Sequence, residues 1–206
     1  MYAASLSKIG ILLGYFHVFR DAIKESNASL FHELGLMIKS SENAISANYS
    51  ELVGLRQIQD ILNKYGFYNV HRGGGIWMGK HYGKEGERIG DPLENDSHTA
   101  TIRQLMRFYL LLEQGRLVNA EASQMMRKIF LSPEIPPDKL NFWSGLWGRD
   151  VTMLRKWGQW QDWYHDSAII NGPRRHYILA CLTMDPNGDK YLAELAVAAD
   201  DLLKGN

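Results

Sequence analysis

The chain has 206 residues, enough for one large domain or two small ones, and its 45% hydrophobic content supports a sizeable core. Lys+Arg and Asp+Glu balance at 23 each, so no charge footprint favours nucleic acid or an anionic membrane surface. A single cysteine, Cys181, excludes an internal disulfide and a cysteine-rich metal site. No apolar run reaches the ~18 residues that span a bilayer. Residues 9–16 have the length of a signal-peptide core, but His17, Phe19 and Arg20 stand where small cleavage-site residues belong.

Residues 5–20 carry apolar groups on nearly every face, which predicts a helix buried inside the protein. Ser29 is placed to cap a second helix built on Leu30, Phe31, Leu34, Met37 and Ile38, and the polar run 40–43 breaks it. Leu55, Ile58, Ile61, Leu62 and Tyr65 keep helical spacing up to Gly66. Residues 69–96 are rich in glycine and charge, forbid a long regular element, and read as a functional or mobile irregular stretch.

A strong helix then starts at Thr99 and runs through Leu105, Met106, Tyr109 and Leu112 toward Gly115; another covers 120–130 and ends before Pro133. The period changes to that of strands over 151–157, 160–170 and 176–184, with a turn at Asn171-Gly172. Residues 190–203 close the chain as an amphipathic helix. Helices, an antiparallel sheet and a final helix make an α+β domain. It is read as one unit over 1–206, helical to about 140 and sheet plus last helix from about 141.

Three short clusters carry the chemistry. Ser5 and Lys8 are three apart and share a helical face. A serine hydroxyl needs a base, and a buried lysine loses solvation until its neutral amine becomes accessible as one. A chance Ser-x-x-Lys with the lysine reaching solvent is the bland alternative. Ser41 and Asn43 follow the second helix; a second hydroxyl relays a proton, and an asparagine both donates and accepts. A plain helix terminus also fits them. Lys156 and Gly158 lie on a strand, where a cation stabilises negative charge and a glycine lets another chain approach; a surface lysine on an edge strand is the alternative.

In this order, Ser5-Leu6-Ser7-Lys8, Ser41-Glu42-Asn43 and Lys156-Trp157-Gly158 resemble the Ser-x-x-Lys, Ser-Asp-Asn and Lys-Thr-Gly elements of class A β-lactamases and penicillin-binding serine hydrolases. Residues 96–101, Asp-Ser-His-Thr-Ala-Thr, are similar to the end of that family's omega loop. The resemblance implies a β-lactamase/transpeptidase-like fold, a helical cluster on an antiparallel sheet, and acyl transfer from a β-lactam or peptide-like amide without metal or cofactor. It implies Ser5 as nucleophile, Lys8 as base and Ser41 as proton shuttle. Asn43 would hold the substrate amide, Lys156 would bind a carboxylate and tune Ser41, and the N–H groups of Ser5 and Gln159 would form the oxyanion hole.

Several positions depart from the family pattern. Glu42 replaces aspartate and Trp157 replaces a small hydroxyl residue that would touch substrate. Glu85, Glu87 and Glu94 lie where the deacylating glutamate belongs, but none has its Glu-x-x-Leu-Asn setting, so weak deacylation is expected. A non-catalytic relative kept for binding or assembly, and a D-alanyl peptidase or esterase, are the alternatives. Relatives usually work outside the cytoplasm. A helix and two strands normally precede the nucleophile helix, whereas four residues precede Ser5 here; a fragment or a protein lacking those strands is expected, with an exposed sheet edge suited to self-association.

Five tryptophans between Trp143 and Trp163 suit packing or an interface better than a ligand wall. His165-Asp166 has no partner at a metal-ligand spacing, and Gly73–Gly75 lacks the rest of a phosphate loop. His17 and His32 read as members of packed helices.

Overall fold

The computed structural model describes residues 1–204. A 3-10 turn, Ala4–Ser7, leads into α1 (Lys8–Phe19), followed by α2 (Ala28–Gly35), α3 (Asn43–Val53) and α4 (Leu55–Lys64). Two short strand pairs come next: β1 (Tyr68–Asn69) with β2 (Gly74–Gly75), and β3 (Trp77–Met78) with β4 (His98–Thr99). Then come α5 (Ile102–Glu113), α6 (Ala120–Leu131), α7 (Phe142–Leu146), β5 (Thr152–Trp160), β6 (Trp163–Gly172), β7 (Arg175–Met184) and α8 (Gly188–Leu203). No helix among the described residues is long and apolar enough to cross a membrane.

The α+β architecture is the one expected. The sheet is antiparallel in the order β5-β6-β7 and lies between two layers. On one face, Leu154 and Ile169 join the large core built around α1, whose Ile9, Ile11, Leu12, Leu13 and Phe16 are fully buried. On the other face, Ala168 and Ile170 pack with Phe142 and Leu146 of α7 and Leu192 and Ala196 of α8. Alternation along β6 thus feeds two cores at once.

Sequence and structure differ at several boundaries. The second helix is capped by Asn27, whose side chain accepts the Leu30 N–H, rather than by Ser29. Thr99 belongs to β4, and its helix begins three residues later. The last hairpin turns at Pro173-Arg174, not at Asn171-Gly172: those two residues still pair with His176 and Arg175, and Arg174 adopts the left-handed conformation (φ 61°). α3 and α7 were not foreseen. At Gly75 a Cβ would fall 1.8 Å from the Phe67 carbonyl oxygen, so only glycine lets β2 lie against its partner.

Three tethers fix the middle of β5. The Tyr109 hydroxyl on α5 accepts the Lys156 N–H at 3.1 Å and donates to the Ser167 carbonyl at 2.8 Å. The buried Arg155–Asp166 pair (2.7 Å) also reaches the carbonyls of Asp138 and Leu140, pinning the connection before α7 to the sheet. Over one face of the strand, Gly158 admits the backbone of residues 3–6: a Cβ there would sit 2.9 Å from Ala3 O and from Ser5 N. His165 and Asp166, adjacent on β6, point to opposite faces and serve this scaffold.

Replacing Tyr109 with phenylalanine leaves the Lys156 N–H buried without its acceptor. Tyr109→Phe is expected to cost about 1–3 kcal/mol in chemical denaturation; no change would show that this tether does not hold β5.

Candidate active site

Each cluster arrives on a different element. Ser5 lies in the turn that opens α1. That turn is held by Ala3 N–H donating to His98 O (2.9 Å) and by Tyr82 OH donating to Ala4 O (2.7 Å). Ser7 Oγ also lies 2.9 Å from the Tyr82 hydroxyl. Lys8 begins α1 and is fully buried. Ser41 follows Leu36–Ser40, where the α2 extension widens into a π-turn, a feature frequent at functional sites. Its backbone is left-handed (φ 60°, ψ 33°), a strained state for serine worth about 1–3 kcal/mol. Lys156 comes from the tethered middle of β5.

These elements bring two amines onto one hydroxyl. Lys8 Nζ lies 3.1 Å and Lys156 Nζ 3.0 Å from Ser41 Oγ. Lys8 also donates to the Ser41 carbonyl and to Asn43 Oδ1 (2.8 Å), and its ammonium sits 4.5 Å from the centre of the Tyr82 ring. Lys156 donates to Trp157 O at 2.6 Å and lies 4.9 Å from the Trp157 ring centre. Among the described residues, no carboxylate hydrogen-bonds to either amine.

Burial disfavours the charged form of both. It pushes Lys8 down to about 7, with Glu42 opposing the shift. It holds Lys156 well below the usual lysine range, with the nearby Lys8 and Arg155 charges adding to the effect. A charged Lys8 has an acceptor for every proton: Ser41 O, Ser41 Oγ and Asn43 Oδ1. Once neutral, it gains a lone pair within one helical turn of Ser5.

A cavity of about 610 Å³ opens above this cluster, and Ser5, Asn43 and Gln159 line it. Lys8 and Lys156 lie fully buried outside its lining. Lys156 is therefore shielded from direct contact with a ligand carboxylate and faces Ser41 instead. Trp157 turns away: its indole N–H donates to Lys39 O at 3.1 Å, and its ring lines a separate cavity of about 180 Å³. Gly158 packs against the Ser5 turn. Glu42 is exposed, its side chain free of the buried bonds an aspartate would make there.

Sequence reasoning missed much of the cavity wall. Tyr82, His98, Trp160 and Trp163 line it together with Tyr2, so part of the tryptophan cluster does face the opening. No motif marks Tyr82, which sits in the irregular stretch; its one signal is an aromatic residue amid glycines. His98 is buried and pushed down to about 4 by desolvation, stacks on Tyr82 at 4.4 Å, and bonds Lys80 O and Ser97 Oγ. Asp91 shapes the loop behind by accepting from Tyr68 OH (2.8 Å) and from the N–H groups of Leu93, Glu94 and Asp96. Glu85 reaches the cavity rim but is fully exposed, and Glu87 and Glu94 also face solvent.

A model of the β-lactamase enzyme family matches residues 12–203, a span holding Ser41, Asn43 and Lys156 but beginning after Lys8. A β-lactamase from Sphaerobacter thermophilus superposes with a TM-score of 0.76 at 16% identity, over 98% of this chain and 83% of that one. The TLA-3 extended-spectrum β-lactamase gives 0.74 at 13% identity, over 99% and 86%. PBP-A gives 0.69 at 16% identity, over 97% and 80%, and a variant of PBP-A has been solved as an acyl-enzyme complex with penicillin-G. No curated protein matches the sequence. At these identities the solved structures establish the shared fold.

The lowered Lys8 value has a thermodynamic consequence. Below pH 7 both folded and unfolded states carry its proton and the desolvation penalty is complete. Between about 7 and the ordinary lysine value of about 10.4 the unfolded state binds more protons, so stability rises with pH. Denaturation midpoints of the wild type are expected to gain on those of Lys8→Met across that window; a constant difference would mean Lys8 titrates normally.

Proposed function

The chain belongs to the β-lactamase enzyme family, and from that premise we propose that it is a serine hydrolase of the β-lactamase and penicillin-binding type, acylated at Ser5. The observation that carries this reading is the pair of buried lysine amines meeting at Ser41 Oγ beneath a cavity that Ser5 lines. Neutral Lys8 takes the Ser5 proton as the hydroxyl attacks the substrate carbonyl. The Ser5 and Gln159 N–H groups receive the developing oxyanion. Ser41 passes a proton to the leaving nitrogen and is resupplied by the amines behind it. Asn43, its Oδ1 taken by Lys8, keeps its amide N–H groups for the substrate. Lys156 acts on Ser41 rather than on the substrate, because it has no exposed surface.

Breakdown of the acyl-enzyme is slow in this reading. Hydrolysis needs a base to activate water. The face of the Tyr82 ring covers one side of Lys8, and no described carboxylate touches the amine. Burial drives the Tyr82 hydroxyl pKa strongly upward, so it stays protonated and cannot serve as that base. The protein therefore behaves as a penicillin binder more than as an efficient β-lactamase.

A fluorescent penicillin is expected to label the wild type covalently, and Ser5→Ala to abolish the label. The label should survive a chase with unlabelled penicillin. Rapid loss of label with turnover of a chromogenic cephalosporin would show a working deacylation base, and a folded, unlabelled wild type would remove the acyl-enzyme reading altogether.

A further inference from the structure

A second cavity lies on the other face of β5. Odd positions from 151 to 157 point to the side that carries α7, where Val151 and Met153 pack with its core. Together with Trp157, Trp143 of α7 and Phe130 of α6, they line a space of about 180 Å³. The cavity sits behind the catalytic cluster. Trp157 O accepts from Lys156 Nζ, and Lys39, whose carbonyl holds the Trp157 indole, stands two residues before Ser41.

We propose that this cavity is a second ligand site, and that it takes a neutral, single-ring aromatic molecule carrying an oxygen that accepts a hydrogen bond. The proposal does not depend on the acylation chemistry. Three features select that class of ligand. Size is the first. An apolar cavity of about 150 Å³ holds one benzene, so 180 Å³ admits one ring with a short substituent. The walls favour a ring, because Trp157, Trp143 and Phe130 offer aromatic surface for offset and edge contacts.

Charge is the second feature. Lys39 and Asp138 bring one charge of each sign to the walls, and the Arg155 guanidinium is matched by Asp166 in their 2.7 Å pair. A charged ligand would lose solvation there and meet no net opposite charge. The third feature is an excess of donors. The Trp143 indole N–H is buried with no acceptor among the described residues. Lys39 Nζ donates to Leu131 O (2.9 Å) and Ser132 O (2.7 Å), which leaves its third proton without an acceptor among those residues. Buried donors without acceptors are rare in folded proteins, and an oxygen on the ligand supplies what these lack.

Benzyl alcohol is the probe, with benzoate and benzylamine as its charged counterparts. Calorimetric titration of the wild type is expected to give a dissociation constant of about 1 mM for benzyl alcohol, and values at least tenfold weaker for the two ions. In protein labelled with nitrogen-15 tryptophan, the indole signals of Trp143 and Trp157, assigned through Trp143→Phe and Trp157→Phe, should move on binding, that of the Trp143 proton downfield. Leu131→Trp, at a position 40% exposed, and Val151→Phe both add bulk to the cavity wall. Each is expected to weaken binding at least tenfold, with circular dichroism reporting that it is folded; the wild-type titration and spectra stand apart from both variants. No saturation by ~10 mM overturns the site. So do folded filling variants that bind as the wild type does, or shifts confined to Trp160 and Trp163, which line the larger cavity. An ion that binds as tightly as benzyl alcohol overturns the ligand class.

Discussion

Everything in the site depends on one hydroxyl held between two buried amines. Ser41 Oγ accepts from Lys8 and Lys156 at 3.1 and 3.0 Å, in surroundings where neither amine easily keeps its proton. Two adjacent ammonium groups without a carboxylate partner are costly in a buried site. Releasing a proton relieves that cost, and the hydroxyl can then donate to the amine left neutral. The energetic burden of burying two cations thus becomes a source of basicity near neutral pH. The left-handed backbone at Ser41 is part of the same device, since it turns both the side chain and the carbonyl toward Lys8.

The scaffold is organised to keep this meeting in register. Tyr109 grips the Lys156 backbone from α5, the Arg155–Asp166 pair locks the neighbouring position, and Gly158 allows the Ser5 turn to lie directly on β5. Residues more than a hundred positions apart in the chain are therefore fixed by backbone contacts as much as by their own side chains. Tyr82 completes the arrangement from the loop side, bonding the Ser5 turn through its hydroxyl and covering Lys8 with its ring.

Much of this was legible in the sequence, and the rest was hidden for identifiable reasons. The all-round apolar character of 5–20 announced a central helix because such a segment has no face to give to water. The period-2 segments announced the sheet. The ordered serine, lysine and asparagine clusters picked out the residues that converge on Ser41. α3 was obscured because its apolar stripe is thin, with polar residues at half its positions. α7 was obscured because five residues carry no period to read. Tyr82 was invisible because its role depends on a loop shaped by Asp91 and by the β3–β4 pair, neither of which leaves a local pattern. The outward turn of Trp157 follows from its bond to the Lys39 carbonyl, and neither it nor the full burial of Lys156 could be read from spacing.

The central claim is that Lys8 supplies a neutral amine near neutral pH. The pH dependence of the rate of covalent penicillin attachment measures it most directly. The account predicts a rate that climbs with pH through a midpoint near 7, the value to which burial lowers Lys8. A rate indifferent to pH in that range, or one that climbs only near the ordinary lysine value of about 10.4, would contradict it.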